Sequence, residues 1–307
     1  MNVKKADWNS TIKGYKNYLL LERSMSSNTI EAYIADVKKL VFFLNEKEEK
    51  VSPIEITSQH LTAFISWLNE FGIGATTQAR IISGIRGYYK YLLIENMTGS
   101  DPTEILETPK LPRKIPDVLS YKEIQFMIAG IDLSHPQGIR NRAILETLYA
   151  CGLRVTELIN LKITHVHEDI GIVKVIGKND KERIIPIGEE ALKYMRMYHE
   201  HVRSKMTNIH KDHENILFLN RRGKKLSRVM IFLIVKEAAA NVGLTKKVSP
   251  HTFRHSFATH LVEGGANLKA VQDMLGHESI TTTEIYTHLD TKFLRETILF
   301  FHPRNQK

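Results

Sequence analysis

The sequence predicts a mainly α-helical protein with one small β-sheet, divided into a four-helix N-terminal domain and an α+β C-terminal domain. Three features predict this. Apolar residues recur at helical spacing up to about residue 100. A basic stretch with three prolines, Thr108 to Pro116, then breaks the pattern. Short apolar runs at 171–176 and 182–187 flank a charged turn, which reads as a β-hairpin inside an otherwise helical second half.

The first helix is expected around Thr11 to Glu22. The second follows from Ile30, Tyr33, Val37, Leu40, Val41 and Leu44, which share a face, with Asn28 and Glu31 placed as a capping box. Leu61, Phe64, Ile65 and Leu68 make a third stripe, and Ile81, Ile82, Ile85, Tyr89 and Leu92 a fourth. Pro109, Pro112 and Pro116 remove amide donors and fix φ, so neither helix nor central strand fits there. The domains are therefore read as 1–108 and 117–307, with 109–116 as an extended, positively charged linker.

Beyond the linker, Ser120 and Glu123 form a capping box that opens a helix. Another is expected from Gln137 to Ala150, stopped at Gly152. The hairpin comes next, with Lys178 and Lys181 in its turn. The chain is helical again from Leu226. Ser249-Pro250 supplies an N-cap and a first-turn proline, Gly264-Gly265 ends that helix, and Gly276 ends the next.

Composition narrows the function. The chain of 307 residues is 42% hydrophobic, enough for sizeable cores. Its longest apolar run, Val229 to Val235, is far short of a membrane span, and no apolar stretch follows the N-terminal charges as in a signal peptide. A single cysteine, Cys151, can build neither an internal disulfide nor a cysteine-based zinc site and suits a reducing cytoplasm. The net charge of +9 attracts phosphate backbones through counterion release.

Several short motifs carry chemistry. In His251-Thr252-Phe253-Arg254-His255, His251 and Arg254 project from one helical face near a helix N-terminus, where free amides favour a phosphate. His251 and His255 have the spacing of a metal pair, but the glutamate of HExxH is absent. Arg154 opens a helix after Gly152, and its plainer reading is a surface arginine paired with Glu157. His277 follows Gly276, and Tyr286 comes nine residues later. Each motif alone has a bland explanation: a solvated polar face, or a half-buried tyrosine.

In order, however, Gly-Leu-Arg-Val-x-Glu-Leu, a hairpin lysine, His-x-x-Arg-His, Leu-Gly-His and Tyr-Thr-His resemble the tyrosine recombinase (phage integrase) family. The resemblance runs from about Ser120 to Leu289, and the helical first half resembles the family's core-binding, SAM-like domain. It implies six catalytic residues, Arg154, Lys178, His251, Arg254, His277 and Tyr286. Because the chain starts close to its first helix, it resembles members without an arm-binding domain. Within the family, the resemblance implies a cytoplasmic enzyme acting on chromosome dimers before cell division. Its partners would be a double-stranded DNA site, a second related recombinase in a heterotetramer, and a DNA translocase of the FtsK type.

The chemistry suits these residue types. Attack of a tyrosine on a phosphodiester builds negative charge on the non-bridging oxygens, and planar, permanently charged guanidiniums match it. Arg154 and Arg254 would form that clamp, with His277 as a further donor. His251 suits the general base that takes the Tyr286 proton, imidazole being the side-chain type that exchanges protons near neutral pH. Lys178 would protonate the leaving 5′-oxygen, a role the resemblance also implies; Lys181 in the same turn is the rival. The phosphotyrosyl bond conserves the energy of the cut bond, so neither ATP nor metal nor other cofactor is expected. There is accordingly no G-x-x-x-x-G-K-[ST] motif. The competing functions are a type IB topoisomerase, a mobile-element integrase, and a DNA-binding factor without catalysis. The apolar run Leu294 to Phe301 is expected to dock on a neighbouring subunit, the alternative being its own domain.

Overall fold

The computed structural model describes residues 7–109, 118–177, 180–276 and 296–304. The chain divides into two compact units, 1–114 and 115–307. Lys178, His277, Tyr286 and Leu294 lie outside the described residues, as does the stretch 110–117.

The N-terminal unit is built of α1 (Trp8–Leu21), α2 (Ser27–Glu46), α3 (Ser58–Glu70) and α4 (Ala75–Ile94). All the residues of the fourth stripe are buried, and Leu61, Phe64 and Leu68 are the buried part of the third. An aromatic cluster ties α1 to α4: the Tyr15 and Tyr88 rings meet edge-on at 5.4 Å. Their hydroxyls are satisfied inside the core, Tyr88 donating to Thr11 Oγ1 at 2.7 Å and Tyr15 to the Gly84 carbonyl at 3.3 Å. One expectation is corrected. Ser26, not Asn28, caps α2: its Oγ accepts from the Thr29 amide, and Asn28 already lies within the first turn. Glu31 stays exposed, because a helix begun two residues earlier turns it away from the cap.

The second unit packs around α6 (Pro136–Cys151), in which Ala143 to Cys151 are buried without a break. A helix buried on every side has to be wrapped on every side. Around it lie α5 (Tyr121–Ala129), the short α7 (Val155–Ile159), α8 (Glu189–His201), α9 (Arg228–Asn241), α10 (Pro250–Glu263) and α11 (Leu268–Leu275). The expected caps form at Ser120 and Ser249. The sheet is antiparallel, β1 (Val166–His167), β2 (Ile172–Ile176) and β3 (Glu182–Pro186), with β2 central and Val173 opposite Ile185. Neither β1 nor α8 is among the expected elements. β1 has too few residues to show a period. In α8 the stripe Ala191, Leu192, Met195 and Tyr198 is plain once the acidic first turn, Glu189-Glu190, is taken as a start signal. None of the helices described is long and apolar enough to cross a membrane.

The C-terminal segment, expected to dock on a neighbouring subunit, is seen here in the single chain. Residues 296–301 are helical, and 296–304 pack on their own domain. Ile298 joins the core at 2% exposure, and His302, at 1%, sets its ring 4.7 Å from that of Tyr149. Arg304 pairs with the fully buried carboxylate of Glu146, which also accepts from Arg142 Nε at 3.2 Å. Glu146 explains the docking in physical terms: inside α6 a carboxylate needs charged partners, and the tail supplies one. Leu299 and Phe300 remain on the outer side.

Two outcomes follow. Truncation before Glu296 removes Ile298 from the core and leaves Glu146 with Arg142, which should cost about 2–4 kcal/mol. The melting temperature of the isolated protein should then fall by roughly 5–10 °C, measured by circular dichroism. The second concerns acid. Burial pushes the His302 imidazole down to about 3. Its folded value lies below its unfolded one, near 6.5, so the unfolded chain binds the extra proton. The stability from neutral His302 is complete above about pH 6.5 and drains away as pH falls toward 3. His302→Phe should therefore show a shallower loss of stability between pH 6.5 and 4 than the unaltered protein in urea titrations; parallel curves would refute the assignment.

Candidate active site

The end of α6 shapes the centre. Gly152 takes a left-handed conformation, φ +56°, and a Cβ there would come within 2.4 Å of the Phe257 ring. Only glycine fits, and it stops α6 so that the Gly152 carbonyl faces α10. Arg254 Nη1 donates to that carbonyl at 2.8 Å. Arg154 then serves as the N-cap residue of α7, its amide held by Glu157 Oε2 at 2.7 Å.

On α10, Pro250 occupies the first position behind the Ser249 cap, His251 the next, and Arg254 follows within a turn. His251 is exposed, whereas Arg254 is buried at 7% exposure. The helix thus offers an accessible imidazole in the turn where free amides and the positive end of the dipole lie, with a guanidinium beneath. Among the described residues no group of three or more His, Cys, Asp or Glu comes together, so His251 and His255 gain no third ligand there.

Glu157 joins these parts. Its Oε1 accepts from Arg154 Nη1 at 2.9 Å and from Arg183 Nη1 at 2.8 Å. Its Oε2 accepts from Arg183 Nη2 at 2.8 Å and lies 3.9 Å from Arg254 Nη1. Burial would raise this carboxyl, but the hydrogen bonds and charge of Arg183, with help from Arg154, hold it below the usual range. Burial first, then the charge of Arg154, brings Arg254 down to about 10, still cationic at neutral pH. Among the described residues, three guanidiniums meet one carboxylate, a surplus of two positive charges.

The same three arginines grip the end of α11. Arg183 Nε donates to the Met274 carbonyl at 2.7 Å, Arg254 Nη2 to Leu275 at 2.5 Å, and Arg154 Nη2 to Gly276 at 3.0 Å. The last carbonyls of a helix lack intrahelical partners and carry the negative end of its dipole. Gly276, at φ +64°, turns the chain out of the helix just before His277.

The structure therefore brings Arg154 and Arg254 together and puts His251 on the helix of Arg254. Of the hairpin turn, Lys181 is described: its carbonyl accepts from the Gly177 amide at 2.8 Å, closing the turn that contains Lys178. Sequence reasoning treated Glu157 as a mere surface partner and passed over Arg183. The signals were there: a glutamate one turn after an arginine, and an arginine on the apolar side of a strand next to Ile184-Ile185. Nearby Cys151 is wholly buried, and burial pushes its thiol up to about 12, so it stays protonated.

Comparison with known proteins adds three findings. Residues 117–292 match the model of the phage integrase family, and residues 12–96 match the phage integrase N-terminal SAM-like domain. The tyrosine recombinase XerD of Chlorobaculum tepidum is 43% identical over 99% of this chain and all of its own length. XerD of Staphylococcus saprophyticus is 43% identical over 95% of this chain and 98% of its own. Among solved structures, the site-specific recombinase XerH bound to palindromic difH substrate in a post-cleavage complex has a similar fold, with TM-score 0.70 and 22% identity. That match covers 97% of this chain and 91% of the other.

Glu157→Gln tests the shared carboxylate. It keeps the shape but removes the charge and turns a donor toward a guanidinium. The expected cost is about 3–5 kcal/mol, read as a lower urea midpoint with an unchanged slope. A midpoint like that of the unaltered protein would show that the three arginines do not depend on Glu157.

Proposed function

The chain belongs to the phage integrase family of tyrosine recombinases, and from that premise we propose that Arg154, Lys178, His251, Arg254, His277 and Tyr286 cut and rejoin DNA at a specific site. The protein is a DNA strand-transferring enzyme; what is proposed is how these residues divide the work. The observation that carries it is the convergence of Arg154, Arg254 and Arg183 on buried Glu157, with two positive charges to spare among the described residues.

A bound phosphodiester is the ligand such a cluster suits. Its charge rises toward two in the pentavalent transition state, so the unmatched charge stabilises that state more than the ground state. Tyr286 attacks phosphorus, forming the 3′-phosphotyrosyl bond, and its proton passes to His251. The bond to the 5′-oxygen breaks, and Lys178 protonates the leaving oxygen. His277 donates to a non-bridging oxygen. Rejoining reverses these transfers, with the 5′-hydroxyl as nucleophile.

The N-terminal helical domain takes the core-binding role on double-stranded DNA, with 109–116 as linker. XerD relatives spanning nearly the whole chain support a XerD-like role; a XerC-like role is the runner-up. On this reading the enzyme resolves chromosome dimers at cell division, in the cytoplasm, together with a XerC-like recombinase in a heterotetramer and an FtsK-type translocase.

On a nicked suicide substrate, Tyr286→Phe should abolish the covalent adduct while leaving DNA affinity near that of the unaltered protein, since one hydroxyl is a small part of a charged interface. Peptide mapping of the adduct to another tyrosine would overturn the nucleophile. Arg154→Lys and Arg254→Lys should each slow cleavage by about 10²-fold or more, because an ammonium cannot reproduce the guanidinium fork. Near-normal cleavage by either removes that arginine from the clamp.

A further inference from the structure

We propose that Arg183, on β3, is a positioning residue for strand cleavage: it ties the hairpin turn that contains Lys178 to the arginine clamp and to the exit of α11. This rests on the reading of the site given above.

The residue is 9% exposed, and Nε, Nη1 and Nη2 of its guanidinium all donate. Nη1 and Nη2 clasp both oxygens of Glu157 at 2.8 Å, and Nε reaches the Met274 carbonyl at 2.7 Å. Glu157 in turn holds the Arg154 amide and guanidinium. The arginine stem lies close over Gly276: a Cβ added there would sit 3.2 Å from Arg183 Cδ and 3.3 Å from Nε. A Cβ on Gly177 would be 3.5 Å from Nη1 and 3.7 Å from Glu157 Oε1. One side chain on the hairpin therefore binds the carboxylate that orients Arg154 and a carbonyl at the end of α11, and lies near Gly177 and Gly276. These segments come from β2, α7 and α11, which are far apart in sequence.

The geometry requires arginine. A fork is needed to bridge a carboxylate and a carbonyl at once, and a lysine has one terminal nitrogen with which to meet both. Catalytic groups held loosely by even 1 Å lose large factors in rate, so an anchor beneath the turn matters although it touches no substrate. The group most exposed to its loss is the general acid. Arg154 and Arg254 keep other partners, the Gly276, Gly152 and Leu275 carbonyls, whereas among the described residues the side-chain hydrogen bonds from β3 to α7 and α11 are those of Arg183.

Single-turnover cleavage of two nicked substrates tests this, one with the ordinary 5′-oxygen and one with sulfur at that bridging position. As the tyrosine–phosphorus bond forms, the phosphorus–sulfur bond breaks and the sulfur leaves as thiolate, which needs no proton. Arg183→Met should cleave the ordinary substrate about 10–100-fold more slowly, with DNA affinity within about threefold of the unaltered protein, and sulfur should recover at least tenfold of the loss. If Arg183→Met does not fold, Arg183→Lys, which keeps a charge opposite Glu157, carries the test with the same expected pattern. Equal impairment on both substrates, or cleavage like that of the unaltered protein, overturns the positioning role. Lys178→Ala is run alongside. If it is not rescued by sulfur, or if the unaltered protein forms no adduct at Tyr286, it is the reading of the site that fails.

Discussion

The carboxylate of Glu157 is the point on which the second domain's chemistry turns. Buried beside three guanidiniums, it keeps its charge because it makes hydrogen bonds to two of them and lies near the third. Without it, three cations would face one another away from bulk water, and their repulsion would have to be relieved by exposure or by loss of a proton. With it, the cluster is stable yet still carries more positive than negative charge. That residual charge is what an anionic ligand meets.

The second component is the C-terminal end of α11. Three consecutive carbonyls accept from three arginines that come from β3, α10 and the start of α7. A helix end is a good anchor because its carbonyls are unpaired and aligned, and left-handed Gly276 clears space for the stem of Arg183. The same device recurs at Gly152, where the end of α6 presents a carbonyl to Arg254. Both sites show a short-range rule, a glycine C-cap, used to arrange long-range electrostatics.

At the far end of the chain, another buried carboxylate plays a structural part. Glu146 draws Arg304 onto α6, Ile298 joins the core, and His302 sets its ring beside those of Tyr149 and Phe257. The segment's apolar character, legible in the sequence, does not say which surface it covers. The polar partner does, because a carboxylate without enough counter-charge inside a core is costly enough to select the segment that brings an arginine.

The sequence by itself determined the mainly helical class, the four apolar stripes, the hairpin, the caps at Ser120 and Ser249, and the glycine stops at Gly152 and Gly276. Each depends on neighbours within a few residues, through helical or strand periodicity or through the φ that glycine permits. The candidate residues were legible as an ordered set, and Arg154, His251 and Arg254 as members of it. Tertiary structure alone decided that Arg183 joins Glu157, that Arg154 and Arg254 share a carboxylate, and that 296–304 pack in cis. The cap of α2 also moved to Ser26, because Ser26 and Asn28, two residues apart, offer equivalent local signals and the local sequence does not choose between them. Salt-bridge partners lie far apart in sequence, and periodicity holds no information about which buried charge will find which. Only the folded chain, bringing β3, α7, α10 and α11 within hydrogen-bonding distance, makes that choice.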